Sequence, residues 1–153
     1  MSLSIRSGEH DWSKRAMIRA AINKEIGTYM GALDGRIAIV TGGSSGIGLA
    51  TAKRFVEEVA YVFITARRQS ELDKALAEIG RNVTAIAGDL AKLEHISKIA
   101  AKVKADKGII DIIVSNAGFT ERSAIEDITP EHFDKTFNLM ARAPVSWCRS
   151  GCR

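Results

Sequence analysis

From Arg36 onward the chain alternates between short, nearly unbroken apolar runs and longer stretches in which apolar residues recur every three or four positions. Runs of the first kind read as strands and stretches of the second as amphipathic helices. Strands are predicted over residues 36–40, 61–65, 83–87 and 109–114, with helices over 46–58, 69–79 and 93–107. Gly80 and Gly108 are placed to stop two of these helices, and Ser70 with Asp73 suggests a capping-box start for the second. A further helix opens at Thr129 as N-cap with Pro130 at its first position. Strands that are apolar at every position need cover on both faces, so the expected fold class is α/β, a doubly wound parallel sheet. Four strands make an incomplete version of that sheet, and the fourth would present the apolar edge Ile109 to Val114 to water.

The link between the first strand and the first helix is Thr41-Gly42-Gly43-Ser44-Ser45-Gly46-Ile47-Gly48. A strand that ends in glycines and re-emerges as a helix leaves several backbone N–H groups unpaired at the positive end of the helix dipole, where a pyrophosphate is favoured. Gly42 suits the sharp exit from the strand, Gly46 a close approach of backbone to phosphate, and Gly48 tight packing of the helix. The sheet is therefore expected to be Rossmann-like, with a dinucleotide beyond the carboxyl ends of its strands, at the switch between the first and fourth.

The wider spacing of Gly42 and Gly46, together with Gly88-Asp89-Leu90 and Asn116-Ala117-Gly118 further on, resembles the short-chain dehydrogenase/reductase family over residues 34–142. The resemblance implies that Gly42, Ser44, Ser45, Gly46, Ile47 and Gly48 hold the pyrophosphate. It also implies that Asp89, with Leu90 beside it, meets the adenine amino group, and that Asn116, Ala117 and Gly118 line the ribose and nicotinamide side. For Asp89 the competing reading is a turn-capping carboxylate.

Cofactor preference is read at the end of the second strand. A carboxylate there would accept from an adenosine ribose 2′-hydroxyl and repel a 2′-phosphate, but this chain has Ala66 followed by Arg67 and Arg68. Two guanidinium groups suit a phosphate, so NADP(H) is expected over NAD(H), the alternative being two merely exposed arginines.

Composition narrows the remaining classes. Of 153 residues 46% are hydrophobic and 26% charged, and the net charge of +4 is scattered along the predicted helices, which argues against nucleic-acid binding. No apolar stretch is long enough for a membrane span and no secretory signal is apparent, so a cytoplasmic location and no membrane partner are expected. Cys148 and Cys152 have no neighbouring His and no second Cys pair, which argues against a metal site.

Residues 1–33 read as a separate extension, with Ile18, Ile22, Ile26 and Tyr29 at helical spacing. Residues 143–153 read as an atypical tail that drops the helical pattern, as a shifted reading frame from Ser146 would leave it. Val59 stands where the family's first helix usually ends in glycine. Members of the family reduce carbonyls with a serine and a Tyr-x-x-x-Lys pair, the lysine lowering the tyrosine pKa. Here Tyr29 and Tyr61 are followed four residues on by Leu33 and Thr65, so no catalytic residue is assigned. The resulting expectation is the dinucleotide-holding part of an oxidoreductase, incompetent by itself. The alternatives are a non-enzymatic dinucleotide-binding or subunit-interaction protein, self-associating through the fourth-strand edge, and a truncated product without function.

Overall fold

A computed structural model describes residues 31–119 and 121–151, and the helix predicted near residues 18–29 lies outside them. In chain order the elements are β1 (Ile37–Thr41), α1 (Gly46–Glu57), β2 (Tyr61–Ala66), α2 (Gln69–Ile79), β3 (Val83–Ala87), α3 (Leu93–Lys107) and β4 (Ile112–Val114). A short 3₁₀ turn at Ile125–Asp127 precedes α4 (Pro130–Phe137), a π-helical turn (Asn138–Arg142) and α5 (Ala143–Gly151). The four strands form one parallel sheet in the order β3-β2-β1-β4, an α/β Rossmann-like arrangement with its switch between β1 and β4.

Alternate strand residues feed two cores. Ala38, Val40, Val62 and Ile64 pack with Ala52 and Val56 of α1 and Leu72 and Ala75 of α2. Ile39 and Phe63 point the other way, into a core built with Ile96, Ile99, Ala100 and Val103 of α3 and Ala143 and Trp147 of α5. Burial on both faces is why these strands read as continuous apolar runs.

The first three helices and β3 follow the sequence pattern to within a residue, but β4 begins at Ile112 rather than Ile109. Asp111 causes the delay: its Oδ2 accepts the Ile37 N–H at 2.8 Å, so a side chain takes the first rung of the ladder, while Ile110 turns into the core. The Ile37 N–H, and then the Arg36 guanidinium at 3.0 Å from Oδ1, hold the Asp111 carboxyl below the usual aspartate range.

Two local expectations are corrected. The α2 start is not a capping box, since the N-cap is Arg68 and Ser70 already lies inside the helix; Gln69 Nε2 donates to Asp73 Oδ1 instead. Residues 143–151 do not lose helical structure, because α5 lies against α3 and buries Trp147 completely. Its indole ring supplies apolar area that outweighs the poor helix formers around it, although the Nε1–H has no partner among the described residues. The Thr129 cap forms as expected, its hydroxyl accepting the His132 N–H at 3.2 Å.

Gly80 and Gly108 end α2 and α3 at φ of 84° and 83°. Val59, after α1, takes φ of 67°, a left-handed conformation in which a β-branched side chain crowds its own backbone. Val59→Gly is therefore expected to stabilise the chain by about 1 kcal/mol, read from the midpoint of denaturant unfolding. An unchanged or lowered midpoint would mean that the packing of the valine side chain outweighs its strain.

Candidate functional site

At the carboxyl end of the sheet a cleft of about 590 Å³ opens between the β1–α1 turn, the ends of β2 and β3, and the segment after β4. It collects Gly42, Ser44 and Ser45 from the first turn, Arg67 and Arg68 from the second, Asp89 and Leu90 from the third, and Asn116, Ala117 and Gly118 from the fourth. Of the expected site residues, Gly46, Ile47 and Gly48 lie outside its lining.

Each glycine of the turn has a distinct geometry. Gly42 has φ of 66°, and a side chain there would press on the Ala117 backbone and the Asn116 amide at 3.0 Å. Gly46 has φ of 55°, and a β-carbon there would meet nothing within 4 Å. Gly48 is packed hardest, since a β-carbon would lie 2.3 Å from the Gly42 carbonyl oxygen and 2.6 Å from Asn116 Nδ2. Ile47, by contrast, is 79% exposed at the start of α1, an uncommon position for a large apolar side chain.

The helix behind this turn starts without a side-chain cap. Ser45 is the N-cap residue in extended conformation, yet its hydroxyl makes no capping hydrogen bond, so the first-turn amides of α1 keep their donor capacity. A phosphate oxygen has the charge and acceptor count to take it up.

The turn is tied to β4 by Thr41, which sequence reading did not single out. Its buried Oγ1 donates to the Val114 carbonyl (3.1 Å) and accepts the N–H groups of Asn116 (2.9 Å) and Ala117 (3.0 Å). Asn116 returns the contact by donating from Nδ2 to the carbonyls of Thr41 (3.1 Å) and Gly42 (3.3 Å). One threonine and one amide thus hold two sequence motifs 75 residues apart in register across the switch. The clue available in the sequence was a hydroxyl residue at the last position of an otherwise apolar strand.

On the adenine side expected from the resemblance, Asp89 Oδ1 accepts the Ala91 N–H at 3.1 Å, so this carboxylate does shape its own turn while also lining the cleft. Arg67 and Arg68 are exposed and their guanidinium groups make no hydrogen bond or ion pair with a described residue, although Arg68 helps to hold the Glu71 carboxyl low behind the larger effect of Lys74. Ala66 leaves no carboxylate at the end of β2 to oppose an anion.

The opposite wall was not foreseen. Phe119, Glu121, Lys135 and Leu139 line it, the last lying in the π-helical turn, a feature that often marks functional positions. Lys135 donates to Glu121 Oε1 and sits over the Phe119 ring at 4.9 Å. That hydrogen bond, with the charges of Lys135 and His132 adding to it, holds the Glu121 carboxyl below its ordinary range. Because the Lys135–Glu121 contact joins residues 14 apart through an irregular loop, no short-range periodicity announces it. Among the described residues no group of three or more His, Cys, Asp or Glu could hold a metal ion, and no helix is long and apolar enough to cross a membrane.

The fold that carries this cleft is shared with known proteins. The family model for short chain dehydrogenase matches residues 36–153. An oxidoreductase of Sarocladium schorii is 44% identical over 113 residues, covering 74% of this chain and 45% of that protein. A hydroxynaphthalene reductase of Aspergillus fumigatus is 37% identical over 122 residues, covering 77% of this chain and 44% of that protein. Among solved structures, a metagenomic short-chain oxidoreductase in complex with NADP superposes with a TM-score of 0.74 at 32% identity, over 78% of this chain and 56% of that one. L-Sorbose reductase from Gluconobacter frateurii, complexed with NADPH and L-sorbose, gives a TM-score of 0.74 at 32% identity, over 80% of this chain and 48% of that one. The chain spans less than half the length of these curated relatives. It belongs to the short-chain dehydrogenase family.

Proposed function

We propose that this member of the short-chain dehydrogenase family holds a nicotinamide dinucleotide in the cleft at the carboxyl end of its sheet, with NADP(H) preferred over NAD(H). The observation that carries the reading is the meeting, in one cleft, of the turn that leads into the uncapped start of α1 with two arginines at the end of β2 whose side chains pair with no described residue. The turn and the first amides of α1 would take the pyrophosphate, with the Ser44 and Ser45 hydroxyls at its rim. Arg67 and Arg68 would take the 2′-phosphate, which a carboxylate at Ala66 would have repelled. Asp89 would accept from the adenine amino group with whatever capacity its turn leaves free, and Asn116, Ala117 and Gly118 would border the ribose and nicotinamide. The NADP and NADPH bound by two related structures support the choice of ligand.

When bound, the dinucleotide supplies the capacity to give or accept hydride, which makes an oxidoreductase acting on an alcohol or carbonyl the whole-protein activity we propose. The residues described here bind and orient. Neither tyrosine of the 153 residues has a lysine four positions on, so a proton donor of the Tyr-x-x-x-Lys type is not among them, and turnover by these residues alone is not expected.

Titration of the chain with NADPH and NADH, followed by nicotinamide fluorescence, tests the reading. Saturable binding with NADPH at least about tenfold tighter is the expected result, the difference that one charge-assisted contact commonly makes. Equal affinities would remove the NADP preference, and no binding of either would remove the function.

The open edge of β4 favours a second reading. It pairs only with β1, and no other described strand covers its far side, so association with another chain through strand pairing is the alternative. Sedimentation as a monomer across the micromolar range would count against it.

A further inference from the structure

The turn between β3 and α3 is held by a histidine that neither the phosphate site nor the proposed chemistry uses. His95, half-buried on the first turn of α3, accepts the Asp89 backbone N–H on Nδ1 at 3.0 Å. An imidazole can accept there only when Nδ1 carries a lone pair, which requires the neutral ring with its proton on Nε2. Gly88, Asp89, Leu90 and Ala91, the residues this bond steadies, all line the cleft. Of the remaining bonds, those from Ala91 N–H to Asp89 Oδ1 and from Lys92 N–H to the Asp89 carbonyl are internal to the turn, and that from Gly88 N–H to the Ala66 carbonyl at 2.9 Å ties its start to β2. His95 is therefore the side chain that anchors the turn to α3.

We propose that His95 is a positioning residue for the adenine side of the cleft, and that protonation of its ring releases the Asp89–Ala91 turn and weakens dinucleotide binding. Protonation converts Nδ1 from acceptor to donor and sets it against the Asp89 N–H, so the bond is lost rather than lengthened. The charged groups nearest the ring are Glu94, whose Oε1 lies 3.8 Å from Nε2, and, by sequence, Asp89, Lys92 and Lys98. The inference rests on the dinucleotide reading for its consequence, but the hydrogen bond can be followed without any ligand.

His95→Asn places a carbonyl oxygen the same number of bonds from Cβ as Nδ1, and that acceptor does not titrate. The test compares the full 153-residue chain with this variant at pH 8 and pH 5.5, using NADPH as the probe. Taking the ratio of the two dissociation constants at each pH cancels the titration of the cofactor's own 2′-phosphate. At pH 8 the two should bind alike, and at pH 5.5 the variant should bind about three- to tenfold tighter, the effect of one hydrogen bond. A ratio that does not change with pH would overturn the proposal.

Hydrogen-exchange protection of the Asp89 amide, measured by NMR on the unliganded chain, separates this result from the fate of the dinucleotide reading. Protection should fall on acidification in the wild type and hold in the variant. If NADPH does not bind at all, the cofactor reading fails while the amide still decides the role of His95. A pH-independent protection factor in the wild type would dismiss that role without recourse to a variant.

Discussion

Gly48→Ala is expected to cost the chain about 3 kcal/mol of stability and to abolish measurable NADPH binding, because the added carbon has nowhere to go. Its two nearest neighbours would be the Gly42 carbonyl oxygen at 2.3 Å and Asn116 Nδ2 at 2.6 Å. The first is backbone and the second is pinned by its own bonds to Thr41 and Gly42, so neither can move aside cheaply. Relief would require α1 to lift from the turn, which would carry away the amides proposed to receive the pyrophosphate. Gly46→Ala provides the contrast. Its β-carbon meets nothing within 4 Å, leaving only the left-handed backbone strain of about 1 kcal/mol. Denaturant unfolding of both variants should show the larger loss at Gly48, and equal losses would mean that backbone conformation, not packing, governs this turn.

Replacing Arg67 and Arg68 together by alanine is expected to weaken NADPH binding about 30- to 100-fold while changing NADH binding by no more than about twofold. Hydrogen bonds between charged partners contribute about 1.5–3 kcal/mol each, and solvent screening at two exposed arginines reduces this to about 1–1.4 kcal/mol each. Since neither side chain is engaged with a described residue, their loss should leave the melting temperature nearly unchanged. The signature is thus selective for the cofactor that carries the extra phosphate. Equal losses for both cofactors would instead assign the arginines a general electrostatic role, and no loss for either would make them surface residues.

Much of the architecture was legible because the signals that specify it are local. Apolar runs such as Ile37 to Val40 and Val62 to Ile64 mark strands covered on both faces, and glycines at 80 and 108 supply the left-handed stops that other residues resist. The strain at Val59 was legible through the family resemblance, which puts a glycine where this valine takes a left-handed conformation. The capping of α2 and the start of β4 were misread where a local pattern competed with a neighbour. Ser70 looks like a cap only until Arg68 is seen to begin the helix, and Ile109 looks like strand only until Asp111 takes the Ile37 amide.

The helix at residues 143–151 is the clearest case of a tertiary decision. Its composition argues weakly for helix, with Pro144, Val145 and Ser146 in its first turn. The element forms against α3, where Trp147 fills a space that no scan along the chain can foresee. The same holds for the wall made by Glu121, Lys135 and Phe119, which exists because an irregular loop returns to α4.

By itself, then, the sequence determined the order of strands and helices, the glycine turn and the identity of the residues at each strand end, because each depends on periodicity or on backbone freedom within a few positions. The tertiary structure decided what those strand ends share. It brought Asn116 to Gly42, set His95 beneath Asp89, and left the arginine side chains at the cleft without a partner among the described residues. Those outcomes depend on which strands become neighbours, and a parallel sheet joins them across stretches of chain far longer than any local pattern can span.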